Sequence, residues 1–344
     1  VRKKFIKPLT VTASLVMLFL TSACGNSAST SSSTPSPSEA ASVKPTAAAT
    51  AAADTVKTIT HELGTTEIKG TPKRVVTLEW AYAEDLLALG IQPIGSADKK
   101  GYANWVNVTP ALDASVVDVG TRQEPNLETI TGLKPDLIIT STLRSSKNYE
   151  ALKKIAPTIV FNSYPAEGKG DQYAEMEKTF KTISDVVGKK AEGEKVLADL
   201  QKAYTDTKAK LAAAKKEGAE VALTQAFSNQ NNADLRMFLD NSMAVQILQR
   251  IGLKNVFKSN KFELYGYSTA SVEALPAVQN ANFIYIVQDN DNVFEKQLKD
   301  NAVWKGLSFV KENKTYKLPG NTWTFGGPLS AKVFAELTAN ALTK

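Results

Sequence analysis

The apolar positions along the chain change their period several times, and each change predicts a different kind of segment. A largely apolar run over residues 9–20 follows a basic stretch containing Arg2, Lys3, Lys4 and Lys7. It is shorter than the ~20 residues a bilayer-spanning helix needs, and with small residues after it reads as a secretory signal over residues 1–23. Residues 25–54 are almost entirely Ser, Thr, Ala and Pro, with nothing to form a core. Such a linker has a root-mean-square span of about 30 Å. Alternation then begins: Thr58-Ile59-Thr60-His61-Glu62-Leu63 and Thr66-Glu67-Ile68 around Gly64 predict a β-hairpin. Beyond it, strands over 74–78, 93–95, 136–140 and 157–161 alternate with helices over 84–89, 127–133 and 149–155. Short β-branched strands separated by helices of this length imply parallel α/β units.

After residue 170 the period lengthens. Tyr173, Met176, Phe180, Ile183, Val186 and Val187 recur at helical spacing until Gly188, and a charged helical segment runs from 190 to about 216. Strands return over 220–224, 282–287 and 315–318, and Gly326-Gly327-Pro328 predicts a tight turn into a last helix. The parts therefore divide into an N-terminal lobe over 55–170, a connecting helix over 171–188 and a C-terminal lobe over 189–344. Leu86-Leu87-Ala88-Leu89-Gly90-Ile91 in one lobe is echoed by Ile247-Leu248-Gln249-Arg250-Ile251-Gly252-Leu253 in the other. Glu128 precedes the strand at Leu137 as Glu273 precedes that at Phe283, with Pro135 and Pro276 between. Any two βα units share some of this pattern. Two lobes with a helical connector nonetheless make a cleft, where small ligands bind.

Composition sharpens this picture by exclusion. The 344 residues include 41 Lys plus Arg against 35 Asp plus Glu, one His and one Cys. A lone Cys excludes an intramolecular disulfide and a thiolate zinc cluster, and a lone His excludes a multi-His metal site and most Ser/Cys–His catalysis. His61 falls in the hairpin, where packing explains it. The +6 formal charge suggests nucleic acid until the signal is removed: residues 1–23 hold four basic residues and no acid, leaving 37 against 35. Nucleic acid is not an expected partner. Leu20-Thr21-Ser22-Ala23-Cys24 resembles a bacterial lipobox with its Leu displaced by one position. Acylation of Cys24 would anchor the body at the outer face of the cell membrane, as in a Gram-positive bacterium, without any protein segment entering the bilayer.

The ordered series Pro72-Lys73-Arg74-Val75-Val76, Leu86-Leu87-Ala88-Leu89-Gly90, Asn126-Leu127-Glu128, Leu133-Lys134-Pro135-Asp136-Leu137-Ile138-Ile139 and Ile155-Ala156-Pro157-Thr158 resembles the ferric-siderophore substrate-binding proteins of bacterial ABC importers. The resemblance runs from about residue 57 to the C-terminus. Leu78-Glu79-Trp80, Val119-Gly120-Thr121-Arg122-Gln123-Glu124-Pro125 and Asn321-Thr322-Trp323 are most similar to the iron(III)-dicitrate branch. The resemblance implies an α/β fold of two lobes, each with a mostly parallel sheet flanked by helices, joined by one long backbone helix, with a shallow cleft and small closure. It implies a monomeric carrier, not an enzyme, that delivers a ferric siderophore to a membrane permease. Glu128 and Glu273 would dock onto Arg pockets of that permease.

A ferric siderophore carries its own iron ligands, so no metal site and no intrinsic cofactor are expected. An anionic complex such as ferric citrate calls for guanidinium forks rather than carboxylates in the cleft. Loops at strand ends supply Arg122, Arg144 and Arg236. Trp80, Tyr82, Tyr265, Tyr267 and Trp323 are the aromatic candidates for an apolar flank or hydrogen bonding, while Trp304 reads as packing. Two readings compete: a cobalamin- or haem-binding protein on the same scaffold, and a surface-anchored hydrolase. The hydrolase would have to use acids such as Glu79 and Glu84, which fit helix and loop roles equally well.

Overall fold

Gly64 does turn a hairpin: β1 (Val56–His61) and β2 (Gly64–Lys69) pair antiparallel in full register from Val56–Lys69 to His61–Gly64. The computed structural model describes residues 55–145 and 147–344; the signal, the linker and Cys24 lie outside the described residues. His61 sits beside the hairpin's turn, paired with Gly64. Its Nδ1 accepts from the Leu63 amide, which leaves the proton on Nε2, facing Thr66 Oγ1 at 3.0 Å. Burial, then Lys153, lowers its pKa.

The N-terminal lobe follows as β3 (Val75–Thr77), α1 (Trp80–Ala88), β4 (Gly95–Ser96), α2 (Lys99–Trp105), β5 (Val117–Asp118), α3 (Leu127–Leu133), β6 (Leu137–Ser141), α4 (Thr142–Ser145), α5 (Tyr149–Ile155) and β7 (Thr158–Phe161). All five strands of its sheet are parallel, in the order β5-β4-β3-β6-β7. Strand order reverses beside β3, and such a switch point opens a crevice at the strands' carboxyl ends. Helix α3 shows how local chemistry sets its bounds. Asn126 Oδ1 accepts from the Thr129 amide at its start, and Lys134, with φ 47°, followed by Pro135, ends it.

Two long helices come next, α6 (Gln172–Val186) and α7 (Lys190–Ala213). Asp171 caps α6 by accepting from the Ala174 amide, and Gly188, with φ 71°, stops the chain from continuing. The apolar stripe of α6 is shared. Tyr173 and Met176 belong to the C-terminal core, whereas Phe180, Ile183 and Val186 belong to the N-terminal one. Helix α7 repeats this division, with Leu197 on the N-terminal side and Leu200, Tyr204 and Leu211 on the other. The lobes are therefore bridged by two helices where the sequence predicts one.

The C-terminal lobe comprises β8 (Glu220–Asn229), β9 (Asn232–Phe238), α8 (Met243–Arg250), β10 (Lys254–Asn255), β11 (Tyr267–Ala270), a 3₁₀ turn (Val272–Val278), β12 (Asn282–Val287), α9 (Ala302–Gly306), α10 (Ser308–Lys311), β13 (Thr315–Pro319) and α11 (Pro328–Leu342). Its sheet runs β11-β9-β8-β12-β13, with β10 also paired to β8. The β8–β9 and β9–β11 pairings are antiparallel and the others parallel. Trp304 packs in this core against Phe294, near the stacked pair Phe283 and Phe309.

Helix α1 is the seam between the lobes. Trp80, Tyr82, Ala83, Glu84, Asp85, Leu86 and Leu87 are all buried, so the helix has covered faces all round. Glu84 reaches α11, where its Oε1 accepts from the Ser330 amide at 2.7 Å and its Oε2 from Ser330 Oγ at 2.6 Å. The carboxylate thus serves donors at a helix N-terminus from outside that helix. Gly326 and Gly327 make the approach possible: a Cβ on either would lie 2.4 Å from a carboxylate oxygen, of Glu84 and Asp85 respectively. The predicted turn is found, and its glycines serve close packing rather than a phosphate. Asp85 has no such relief; its Oδ1 is buried without a hydrogen-bond partner, and burial, then Glu84's charge, pushes the carboxyl well above the usual range.

That raised pKa has a signed consequence. Between the ordinary aspartate value and the raised one, the folded protein keeps a proton the unfolded chain has released, so stability falls as pH rises through that window. Asp85→Asn removes the contribution. The decline in Tm as pH rises above the ordinary aspartate range is expected to be shallower in the variant than in the parent. An unchanged slope in thermal melts would contradict the assignment.

Candidate functional site

The carboxyl ends of the parallel strands converge on a cavity of about 270 Å³ between the lobes, lined by Glu79, Ala81, Arg122, Leu143, Arg144, Ser163, Tyr164, Arg236, Tyr265, Tyr267, Trp323 and Phe325. Glu79 leaves the end of β3 and is the N-cap of α1, its Oε1 accepting from the Trp80 amide at 3.0 Å. Arg144 follows β6 on the single turn of α4. Arg122 stands on the loop after β5, closed by the Gly120–Pro125 bridge, with Gly120 at φ 93°. These residues follow β3, β6 and the edge strand β5 at the same end of one sheet, which is why residues distant in sequence meet.

Their meeting is an ion-pair triad. Arg122 Nη1 donates to Glu79 Oε1 at 2.7 Å, and Arg144 Nε donates to Glu79 Oε2 at 2.8 Å. The side chains are 13–15% exposed, so these pairs are less screened than surface pairs. Arg122 also lies over Trp80, its Cζ 3.6 Å from the ring centroid, while Asp98 Oδ2 stands 3.8 Å from its Nε. On the opposite wall Arg236 holds only the neutral Gln225, at 3.2 Å, with Phe227 and Tyr267 rings 4.8 and 5.0 Å from its Cζ. The cavity wall carries three guanidiniums against one carboxylate, a net of +2.

Aromatic rings close the walls. Tyr164 and Tyr265 meet edge to face across the lobes at 5.1 Å, and Tyr265 stacks on Tyr267. Trp323 and Phe325 follow β13 and continue the apolar wall. Burial, then Glu79's charge, raises the Tyr164 pKa, so the phenol keeps its proton as a donor. A second recess of about 490 Å³, with Asn104, Trp105, Gln288 and Asp291 in its lining, shares Arg236 with the first. The lobes also touch at the cleft's margin, where Gln288 Nε2 donates to the Asn104 carbonyl at 3.2 Å and Trp80 meets Trp323 at 5.1 Å.

Of the residues proposed from sequence, Arg122, Arg144, Arg236, Tyr265, Tyr267 and Trp323 line the cavity. Trp80 and Tyr82 do not. Trp80 is 3% exposed beneath Arg122, with its Nε1 on the Asp98 carbonyl. Tyr82 is 1% exposed in the core, its hydroxyl on Ser163 and its ring against Phe161. Both sit on α1, whose burial on all sides turns them away from solvent. Arg236 stands in strand β9 rather than in a loop, on the face opposite the buried Ala233, Leu235 and Met237. The expectation of a cleft free of carboxylates fails at Glu79. Its sequence signals are the N-cap position after a strand, which many acids share, and its place in Leu78-Glu79-Trp80, which carries the resemblance without giving Glu79 a role; Tyr164 and Ser163 have none. Glu128 and Glu273 are exposed, each in the first turn of its segment, with Ser271 Oγ holding Glu273 below the usual carboxylate range. Among the described residues no group of His, Cys, Asp and Glu is placed to hold a metal ion, and no helix is long and apolar enough to cross a membrane.

Comparison with known proteins gives this geometry a context. The family described as periplasmic binding protein matches residues 75–322. The Fe(3+)-citrate-binding protein YfmC of Bacillus subtilis is 34% identical over 284 residues, 81% of this chain and 84% of that protein. The iron(3+)-hydroxamate-binding protein FhuD of Escherichia coli is 31% identical over 271 residues, 79% and 87% of the two chains. Among solved structures, the Fe3+-Desferal-bound siderophore-binding protein FhuD of Vibrio cholerae superposes with a TM-score of 0.70 at 26% identity, covering 79% of this chain and 98% of that one.

The triad makes unequal demands on its two cations. Arg122→Ala loses the ion pair to Glu79, the longer one to Asp98 and the contact over Trp80, whereas Arg144→Ala loses the ion pair to Glu79. Urea denaturation is expected to show Arg122→Ala as the less stable by about 0.5–2 kcal/mol. Equal midpoints and slopes for the two variants would contradict the stacking role.

Proposed function

The chain belongs to the periplasmic binding protein family, and from that premise we propose that it is the solute-binding component of an ABC importer, capturing a ferric siderophore of citrate or related carboxylate or hydroxamate type. The observation that carries this reading is the +2 wall of Arg122, Arg144, Arg236 and Glu79, set among Tyr164, Tyr265, Tyr267, Trp323 and Phe325. Guanidinium forks match carboxylate oxygens, and the rings cover whatever apolar surface the chelator presents. Iron arrives already chelated, so the protein supplies recognition and no metal ligands. The iron-citrate and iron-hydroxamate relatives support the same ligand class.

Delivery needs two further features. Glu128 and Glu273, exposed one on each lobe, are the proposed docking carboxylates for permease arginines. Cys24, after the apolar run, is the proposed acylation site; lipid chains contribute about 0.8 kcal/mol per buried methylene. The linker over 25–54 then holds the body near the permease at the outer face of the membrane.

Tryptophan fluorescence tests the capture step, since Trp323 lines the cavity and Trp80 lies beneath Arg122. Ferric citrate or a ferric hydroxamate is expected to quench it saturably; absence of quenching by every ferric chelate tried would overturn the reading. Arg122→Ala and Arg236→Ala are each expected to weaken binding by about 10–100-fold, the cost of losing charge-assisted hydrogen bonds. The docking proposal separates cleanly from this. Glu128→Ala and Glu273→Ala are expected to leave quenching unchanged and to lower radiolabelled ferric-chelate uptake by cells. Unchanged uptake in the double variant would refute it.

A further inference from the structure

Glu79 is the acidic side chain of the cavity wall, and both of its oxygens are engaged by cations. It occupies the place that a ligand carboxylate would take against Arg122 and Arg144. It is also hard to move. The backbone of Glu79 is the extended N-cap of α1, and Oε1 accepts from the Trp80 amide as well as from Arg122. Helix α1 is itself buried between the lobes. A small anion entering the cleft must therefore displace an anchored, intramolecular carboxylate, or bind beside its charge using the remaining N–H groups of the two guanidiniums.

Arg236 breaks the symmetry. It faces the same cavity from the other lobe, and among the described residues its side-chain hydrogen-bond partner is the neutral Gln225. A rigid multi-anionic complex reaches Arg236 and the remaining N–H groups of Arg122 and Arg144 together, without evicting Glu79. A lone carboxylate group does not. We infer that Glu79 is a guard residue, a built-in anion that occupies Arg122 and Arg144 and so makes the cleft select a preassembled ferric complex over its iron-free chelator and over small anions.

The inference rests on the function proposed above and concerns its selectivity. It predicts a gain of binding, which a merely structural role for Glu79 would not produce. Glu79→Gln keeps the shape and an oxygen for the Trp80 amide while removing the charge. Calorimetric titration of parent and variant with iron-free citrate, and with ferric citrate, reads the ratio of the two affinities. In Glu79→Gln iron-free citrate is expected to bind at least about tenfold tighter, through unopposed charge-assisted pairing, with a smaller change for ferric citrate, so the ratio falls. Sulfate should likewise become a better competitor. Glu79→Asp, which keeps the charge but withdraws it by one methylene, is expected to move the ratio in the same direction by less, and it carries the test if the Gln variant does not fold. A ratio within about twofold of the parent in the folded variant would overturn the guard role. Failure of the parent itself to bind any ferric chelate would instead overturn the function on which the inference rests.

Discussion

The burial of α1 on all its faces is the constraint from which the rest of the molecule follows. A helix packed against one lobe alone would present a polar face to water, but this one carries Glu84 and Asp85 inward, to 0% and 2% exposure. Two adjacent buried carboxyls are tolerable only because α11 brings its N-terminal donors to Glu84, across a glycine pair with no Cβ to obstruct it. The same placement fixes the first residues of α1 at the cleft. Glu79 and Trp80 become the rigid floor on which Arg122 and Arg144 are arranged.

Charge therefore acts locally in this protein. The balance over the whole chain is dominated by the leading basic residues, whereas at the cavity wall Arg122 and Arg144 hold Glu79 at 2.7 and 2.8 Å. At 13–15% exposure those groups interact through a medium far less polarisable than water. The aromatic neighbours matter for the same reason. Trp80 under Arg122, and Phe227 and Tyr267 around Arg236, keep the cations desolvated yet favourably placed.

Periodicity made most of the architecture legible. Helix α3 and helix α5 fall where the sequence places them, as do the strands β6, β7 and β12, because each is set by a local pattern, reinforced in α3 by the Asn126 cap. The antiparallel β8–β9 hairpin was not legible: its strands are joined by a turn at Gln230, with φ 55°, in a run of Asn and Gln that reads as loop. Arg236 was thereby assigned to the wrong kind of element while its cavity position was recognised. Trp80 and Tyr82 lie behind the cavity lining for a different reason, since a helix buried all round gives no sequence cue to which face meets the cleft. Glu79 is visible in sequence as part of Leu78-Glu79-Trp80 and as a candidate enzymic acid, but not as an ion-pair partner, because Arg122 and Arg144 lie 43 and 65 residues away, at separations no local pattern encodes.

Helices α6 and α7 both cross from one core to the other, and each divides its apolar stripe between the two. Moving the lobes apart would shear two packed interfaces and the α1–α11 contact at once, so under the proposed function a filled body and an empty one would be expected to share nearly the same outline. A partner that grips the outer faces then has little mechanical information about occupancy. Vacant copies would be expected to compete for the same docking positions as loaded ones. Throughput would then depend on the fraction of copies that are loaded and on how quickly vacant ones depart.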